Sequence, residues 1–308
     1  MSRYALTQSA LAILMLVGIS LVTFLLTFLS GDPVALMLPA EATVEERAAF
    51  RQQLGLDQPL HVQYARFLRG ALRGDFGQSL RHNEPALPLV LSKLPATLEL
   101  ATAALILGTL GGIPLGVAAA IWRGSASERF AMGAALAGQS IPNFWLGIML
   151  IYLFAATLMW LPSVGRGGLQ NLILPSFTLA VNHMAVVCRL TRSTMLDVLA
   201  EDYVRTARAK GASEMAVVMR HALSNGLIPI VTVVGLRMGF LIGGAVVVET
   251  VFVWPGVGLL AVQAIYNRDF PVVQAAVFIM ASAFVLINML MDILYAWLDP
   301  RIRIGGGR

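Results

Sequence analysis

The sequence predicts an all-α polytopic membrane protein with six transmembrane helices and an N-terminal extracytoplasmic insertion after the first of them. Three observations carry that prediction. Apolar residues make up 57% of the 308 positions and charged residues only 13%, whereas soluble domains carry about 25% charge. The apolar residues fall in long charge-free runs that exceed the roughly 18 residues needed to cross a bilayer, and the mean hydropathy is +0.76. Glycines recur at i+4 in two of those runs, which marks small-residue faces for close packing of membrane helices.

The first run, Tyr4 to Gly31, carries no charge. It is longer than the 7–15 apolar residues of a signal peptide, so it reads as the first transmembrane helix and residues 1–31 as its domain. Asp32 to Pro95 (residues 32–95) is a polar, extracytoplasmic region of sixty-four residues with seven acids and seven bases. Within it, Thr43-Val44-Glu45-Glu46 opens a helix with a capping box that runs to about Leu54. Gly55-Leu56-Asp57-Gln58-Pro59 breaks it, and a second amphipathic helix covers Val62 to Leu72. The remaining spans, within a core of residues 96–300, are Leu100–Trp122, Phe130–Leu161, Leu169–Cys188, Gly226–Val248 and Val272–Leu298. In the second span Gly108, Gly112 and Gly116 share a face, and Pro114 is expected to kink it. The third, with Ile141-Pro142-Asn143-Phe144-Trp145 midway, is too long for one straight span, so it is expected to hold a span plus a bent or interfacial start. In the fifth, Gly235, Gly239 and Gly243 form the second glycine face. Residues 301–308 form a tail.

Charge fixes the orientation. With the N-terminus inside, twelve Lys and Arg side chains fall on the inner side, and the two short outer loops carry only Arg166 and Arg268. The long outer region carries seven, which counts for less in the positive-inside rule. Both termini are therefore expected in the cytoplasm, and the +5 net charge reflects this asymmetry rather than a nucleic-acid partner. The single cysteine, Cys188, allows neither an intrachain disulfide nor a Cys-based metal site. The histidines His61, His82, His183 and His221 are scattered, so no metal site is expected. Of the two lysines, Lys93 precedes Leu94 and Lys210 precedes Gly211. Neither fits a Walker A Gly-Lys-Ser/Thr, so no catalytic residues are assigned and the chain is not expected to be an enzyme.

The polar segment between the fourth and fifth spans holds Glu201-Asp202-Tyr203-Val204-Arg205-Thr206-Ala207-Arg208-Ala209-Lys210-Gly211. Its residues favour helix as far as Lys210, Glu201 and Arg205 stand at i,i+4, and Gly211 is a helix stop. As a plain feature it is a cytoplasmic loop held inside by its arginines. The run Asp202 to Gly211 resembles throughout the coupling loop, or EAA loop, of bacterial ABC importer permeases of the peptide and nickel branch. That branch includes glutathione-permease-like members. The wider pattern of the loop is met in part: Arg205 stands at its Glu, Thr206 at its first Ala, His221 at its Ile and Ser224 at its Pro, while Ala207, Gly211 and Leu223 match. Gly31-Asp32-Pro33, Gly55 to Leu60 and Gly74-Asp75-Phe76-Gly77-x-Ser79 resemble the N-terminal region of the same permeases.

The resemblance implies a type I ABC importer permease fold, in which residues 197–225 form the coupling loop. Asp202, Tyr203, Arg205, Thr206, Ala207, Arg208, Lys210 and Gly211 would couple the chain to ATPases. It implies a second homologous permease, two cytoplasmic ATPase subunits that bind ATP and Mg, and an extracytoplasmic substrate-binding protein, all at the bacterial inner membrane. Asp75, Phe76, Gly77, Gln78, Ser79, Arg268 and Asp269 would meet the binding protein. The loop Glu249 to Gly258 would close the outer gate through Glu249, Trp254, Pro255 and Gly256, followed by an interfacial or re-entrant helix to Tyr266. Without the resemblance, Trp254 and Tyr266 read as aromatic-belt anchors.

Arg237 lies near the centre of the fifth span, where a charge costs about 2.5–3.5 kcal/mol or more unless it is paired or wet. Two residues from Gly235 and Gly239, it points roughly 200° away from the glycine face. It either lines the translocation cavity or pairs with an acid such as Glu249 or Asp292. A rival class, a secondary transporter or channel acting alone, calls for intramembrane acids or histidines for ion coupling. Only Glu99, His183, Glu249 and Asp292 offer themselves, and inverted repeats are not evident. Substrates of such permeases span dipeptides, longer peptides, glutathione and nickel complexes, and the sequence does not choose among them.

Overall fold

The computed structural model describes residues 2–29, 34 and 43–298. The Gly31-Asp32-Pro33 motif and the 301–308 tail lie outside the described residues. The helices, in order, are α1 Ser2–Leu29, α2 Val44–Leu54, α3 Leu60–Leu72, α4 Ala86–Ile121, α5 Ala126–Ser140 and α6 Asn143–Thr157. They continue with α7 Leu169–Leu199, α8 Asp202–Ala209, α9 Glu214–Val251, α10 Val257–Tyr266 and α11 Phe270–Leu298. The last part of α6 (Ile151–Thr157) and the Val217–Leu223 stretch of α9 are π-helical. Among the described residues there is no named strand, only an isolated bridge between Gln78 and Pro85.

Among the described residues, four helices are long and apolar enough to cross a membrane: Ala86–Ile121, Leu169–Leu199, Glu214–Val251 and Phe270–Met291. The pair α5 and α6, bent by 105°, makes a fifth when counted as one broken span. The bend falls at Ile141-Pro142, where the proline leaves no N–H to continue the ladder. The apolar stretch Ala10–Leu25 of α1 is shorter than this length.

Contacts divide the described chain into two compact units. One holds the chain up to Ala96 together with Pro255–Met289. In it Thr43 caps α2 as expected: its Oγ1 accepts from the Glu46 N–H at 3.2 Å, and the Glu46 carboxylate accepts from the Thr43 N–H at 2.8 Å. The Thr43 N–H, then its hydroxyl, hold the Glu46 carboxyl below its ordinary pKa. An aromatic ladder Phe24–Phe67–Phe76–Phe278, with centroids 5.9, 6.2 and 5.4 Å apart, ties α1, α3 and α11 to the loop after α3. Ala86, Val90, Leu260 and Val272 are buried in the same core.

The other unit holds Thr97–Trp254 and a short piece from Leu290. In it α4 meets α7 along a close seam. A β-carbon on Gly108 would lie 2.5 Å from His183 Cδ2, one on Gly112 2.8 Å from Val187 Cβ, and one on Gly116 2.5 Å from the Cys188 carbonyl oxygen. Only hydrogen fits at these points, so the second-span glycine face is real and α7 is what it meets. The fifth-span face ends earlier than expected. Gly235 and Gly239 are buried, but Gly243 faces open space, and it is Gly244 whose β-carbon would touch Leu179 at 3.3 Å.

Helix ends differ most from the sequence reading. α4 starts at Ala86, nine residues before Pro95, and passes through Pro95 and Pro114 as one helix. α7 runs eleven residues past Cys188 to Leu199, and α9 starts at Glu214 rather than Gly226. Hydropathy marks where a helix leaves apolar surroundings, whereas the hydrogen-bond ladder ends only at a breaker or a cap. Residues 189–199 contain no Gly or Pro, so the ladder continues.

Candidate functional site

Between α7 and α9 the chain projects α8. Glu201 is its N-cap, in extended conformation, rather than the i,i+4 partner of Arg205; the partner of Arg205 is Asp202, at 3.4 Å. Gly211 adopts φ +83°, the left-handed region that disfavours side chains. The Gly211 N–H bonds the Arg208 carbonyl at 2.9 Å and the Ala212 N–H bonds that of Ala207 at 3.2 Å, a Schellman stop. On this helix Val204 alone is fully buried, while Asp202, Tyr203, Arg205, Thr206, Arg208 and Lys210 are exposed and Ala207 is half-buried. Arg208 turns to Glu214 at 2.8 Å, pinning the peg to the start of α9. Beneath it, Val117 and Ala120 of α4, Met195 of α7 and Val218, Ala222 and Leu223 of α9 pack as one buried cluster. The Arg192 guanidinium of α7 grips Glu128 of α5, with Nε at 2.7 Å. The result is a rigid base carrying a polar, solvent-facing helix.

At the opposite end of the same unit, Glu249 is fully buried and accepts the Thr97 hydroxyl at 2.7 Å. The Trp254 N–H bonds the Glu249 carbonyl at 2.8 Å, through Val253 at φ +48°. Trp254 is 1% exposed, so it is a core residue and not the interfacial anchor of the alternative reading, whereas Tyr266 is exposed. The loop between α6 and α7 clamps this turn. Arg166 pairs with Glu99 at 2.5 Å, its guanidinium carbon sits 6.0 Å from the Trp254 ring, and the Gly165 N–H bonds the Phe252 carbonyl at 2.8 Å. Pro255 and Gly256 lead into α10, with Gly256 as its extended N-cap.

Arg237 is half-buried and donates to Asn182 Oδ1 of α7 at 3.4 Å, with its guanidinium carbon 5.8 Å from the Phe240 ring. Glu249 is not its partner. Twelve residues along one helix separate them, roughly 18 Å of axial rise, and Glu249 is held by Thr97. The Asp292 side chain lies outside the described residues. Asn182 in turn donates to the Gln139 carbonyl at 3.5 Å.

Of the residues expected to meet a binding protein, Asp75, Gly77, Gln78 and Arg268 are exposed, but Phe76, Ser79 and Asp269 are buried. Ser79 Oγ donates to Asp269 Oδ2 at 2.5 Å, so these two brace the loop internally. Sequence reading missed Arg166–Glu99, Arg192–Glu128, Arg208–Glu214 and Asn182. The first, second and fourth join residues far apart in the chain, with no local signal; Arg208 and Glu214 were separated by an assumed loop. Among the described residues no group of three His, Cys, Asp or Glu lies close enough to hold a metal ion.

Fold and site together define a class: an all-helical integral membrane permease with an exposed helical peg between two of its spans. Residues 112–304 match the family described as "Binding-protein-dependent transport system inner membrane component", and residues 1–101 match its N-terminal companion, "Binding-prot-dependent transport system membrane comp, N-term". The chain belongs to this family, as an ABC importer permease of the peptide and nickel type, a family of transport permeases rather than enzymes. It is 47% identical over 283 residues to the glutathione transport system permease protein GsiC of Salmonella paratyphi A, covering 92% of each chain. It is 44% identical over 286 residues to GsiC of Escherichia coli K12, covering 92% of this chain and 94% of that one. Its fold resembles a permease chain in an inward-facing crystal form of the MetNI methionine ABC transporter, at TM-score 0.61 and 20% identity over 70% of this chain and 99% of that one. An amino acid ABC transporter structure matches at TM-score 0.51 and 18% identity, over 70% and 94% of the two chains.

Proposed function

We propose that this permease forms half of the translocation path for a peptide-like solute and is driven through α8 by two cytoplasmic ATPase subunits, which bind the ATP and Mg. A second homologous permease completes the path and an extracytoplasmic binding protein delivers the solute. α1 is the first of six spans, residues 32–95 are extracytoplasmic, residues 96–300 form the core with its coupling loop at 197–225, and both termini face the cytoplasm of a bacterial inner membrane. Glutathione, as transported by the GsiC relatives, and other short peptides are the substrate class. Glu249, Trp254, Pro255 and Gly256 form the outer gate, Arg237 lines the path, and the exposed Asp75, Gly77, Gln78 and Arg268 meet the binding protein, with Phe76, Ser79 and Asp269 supporting them.

The observation that carries this reading is α8 itself. A short helix in a membrane protein that buries one side chain, Val204, and turns its charges to solvent is built to be touched by something else. The rigid base beneath it supports transmission, since closure of an ATPase dimer would move α8 as a body. A cysteine in place of Thr206 is expected to crosslink to the ATPase subunits in the assembled transporter, and this chain's own Cys188 is buried. No crosslink in any nucleotide state, with subunits that purify apart, would overturn the reading in favour of a transporter acting alone.

A further inference from the structure

α3 sits beside the apolar part of α1. Its Tyr64 hydroxyl lies 2.8 Å from Ser20 Oγ and 3.3 Å from the Val17 carbonyl oxygen. The Phe24 ring packs against those of Tyr64 and Phe67, with centroids 5.5 and 5.9 Å apart. Val17, Ser20 and Phe24 all belong to the apolar stretch Ala10–Leu25 of α1. α1 continues to Leu29, so the Val17 contact falls roughly 18 Å short of the helix end at 1.5 Å per residue. α3 therefore runs alongside apolar helix surface and does not stand clear above it.

Around its axis α3 has three sides. Gln63, Phe67 and Ala71 face inward: Gln63 and Ala71 are buried, and the Gln63 amide donates to the Leu56 and Gln58 carbonyls at 3.2 and 2.7 Å. On one flank Arg66, Arg69 and Arg73 are exposed and fall within an arc of roughly 60°. On the other flank Ala65, Leu68 and Leu72 fall within a second arc of roughly 60°, with His61 at its first turn. Leu72 is 80% exposed. α3 carries no acid; Asp57 and Asp75 lie beyond its two ends. Arg66 donates to Gln58 Oε1 at 3.2 Å. Among the described residues Arg69 and Arg73 pair with no acid.

Two needs meet on this helix. An exposed leucine flank is stabilised by leaving water. Clustered guanidinium groups repel one another and are stabilised by a surface of opposite sign. An acidic protein face would answer the arginines and leave the leucines wet. An anionic bilayer boundary answers both, with acyl carbon for the leucines and phosphate oxygen for the arginines.

We propose that α3 is an interfacial anchor that binds anionic phospholipid. Leu68 and Leu72 enter the edge of the acyl region, and Arg66, Arg69 and Arg73 take headgroup phosphates, which suit the forked guanidinium. The depth and the choice of the outer leaflet rest on the reading of α1 as the first span of an importer.

The test uses the permease assembled with its partner subunits in nanodiscs of phosphatidylcholine. Leu72→Cys carries a bimane label, and the parent complex taken through the same labelling sets the background. Acyl-brominated phosphatidylglycerol and acyl-brominated phosphatidylcholine are compared as quenchers at equal, low mole fraction. Both are expected to quench the label, with phosphatidylglycerol stronger by about threefold or more, while iodide in the buffer quenches little. Arg69→Gln combined with Arg73→Gln should bring the two lipids level. A label quenched by iodide and by neither lipid, equal quenching by the two lipids in the parent, or a preference that survives the double variant would each overturn the proposal. Affinity for the binding protein is measured on the same samples. A double variant that loses this affinity and keeps its lipid preference assigns the arginines to a protein contact, and also overturns it. Peptide uptake with the binding protein present is followed alongside. Uptake without lipid preference removes the anchor and leaves the import reading standing. Lipid preference without uptake upholds the anchor and overturns the import reading.

Discussion

Replacing Gly116 by alanine tests the α4–α7 seam directly. The added β-carbon would lie 2.5 Å from the Cys188 carbonyl oxygen and 2.6 Å from Thr191 Cβ, where ordinary contact begins at 3.4 Å. The obstacle is backbone, so the helices must part by roughly 0.9 Å, the difference between 3.4 and 2.5 Å. Overpacking of this kind costs about 1–3 kcal/mol. Alanine also improves helix propensity over glycine by about 0.8–1 kcal/mol, which would mask part of the loss. Gly133→Ala supplies the control, because Gly133 lies inside α5 with nothing within 4 Å of its virtual β-carbon. The propensity gain is common to both variants, so their difference isolates the packing term, expected at about 1–3 kcal/mol. Reversible unfolding of the purified complex in mixed micelles, followed by tryptophan fluorescence, reads it. A Gly116→Ala protein as stable as Gly133→Ala would refute the close approach of α4 to α7.

Four further outcomes follow from the same geometry. Gly211→Val meets no neighbour within 4 Å, so its whole effect is the left-handed backbone, about 1–2 kcal/mol; it should uncouple ATPase stimulation from transport while membrane insertion is normal. Arg208→Glu sets two acids side by side in place of an exposed ion pair that contributes about 0–1 kcal/mol; stability should hardly change, yet substrate-stimulated ATP hydrolysis should fall, and unchanged stimulation would count against α8 as the docking element. Thr97→Val removes the hydroxyl that donates to the buried Glu249, at about 1–3 kcal/mol, and should lower the unfolding midpoint and raise substrate-independent ATPase activity as the outer gate loosens. Arg237→Met should slow transport of anionic substrates more than of neutral or cationic ones with binding-protein affinity unchanged; equal losses together with poor subunit assembly would instead assign Arg237 a structural role.

Local chemistry was legible in the sequence and distant pairing was not. Gly211, Thr43 with Glu46, and Ile141-Pro142 each act within a few residues, and the structure places a stop, a cap and a bend at those points. The glycine spacing in the second span told that a helix would approach closely but not which one, since His183, Val187 and Cys188 carry no mark of facing it. Ser79 and Asp269 lie 190 residues apart; the resemblance marked both as contacts for a binding protein, with nothing local to show that they bond each other. Their mutual bond, which buries them, depends on how α10 and α11 return to the loop after α3. Arg166 was counted as one charge in a short loop, and its pairing with Glu99 needed the three-dimensional path of that loop.

The length of α7 has a structural consequence. Its thirty-one residues make a strut of roughly 46 Å at 1.5 Å per residue. One end adjoins the loop that carries Arg166, and the other passes within three residues into α8. Pro175 lies inside it near the Arg166 end and removes one bond of the ladder there, so the uninterrupted ladder is the part from Pro175 to Leu199. α9 is a different component, because its Val217–Leu223 turn is π-helical and a π-turn holds one residue more than the α-helix around it. Such turns are rare and are found most often at functional sites. The two members that leave the peg therefore differ in construction: α7 reaches it as α-helix, whereas α9 leaves it through a π-helical turn.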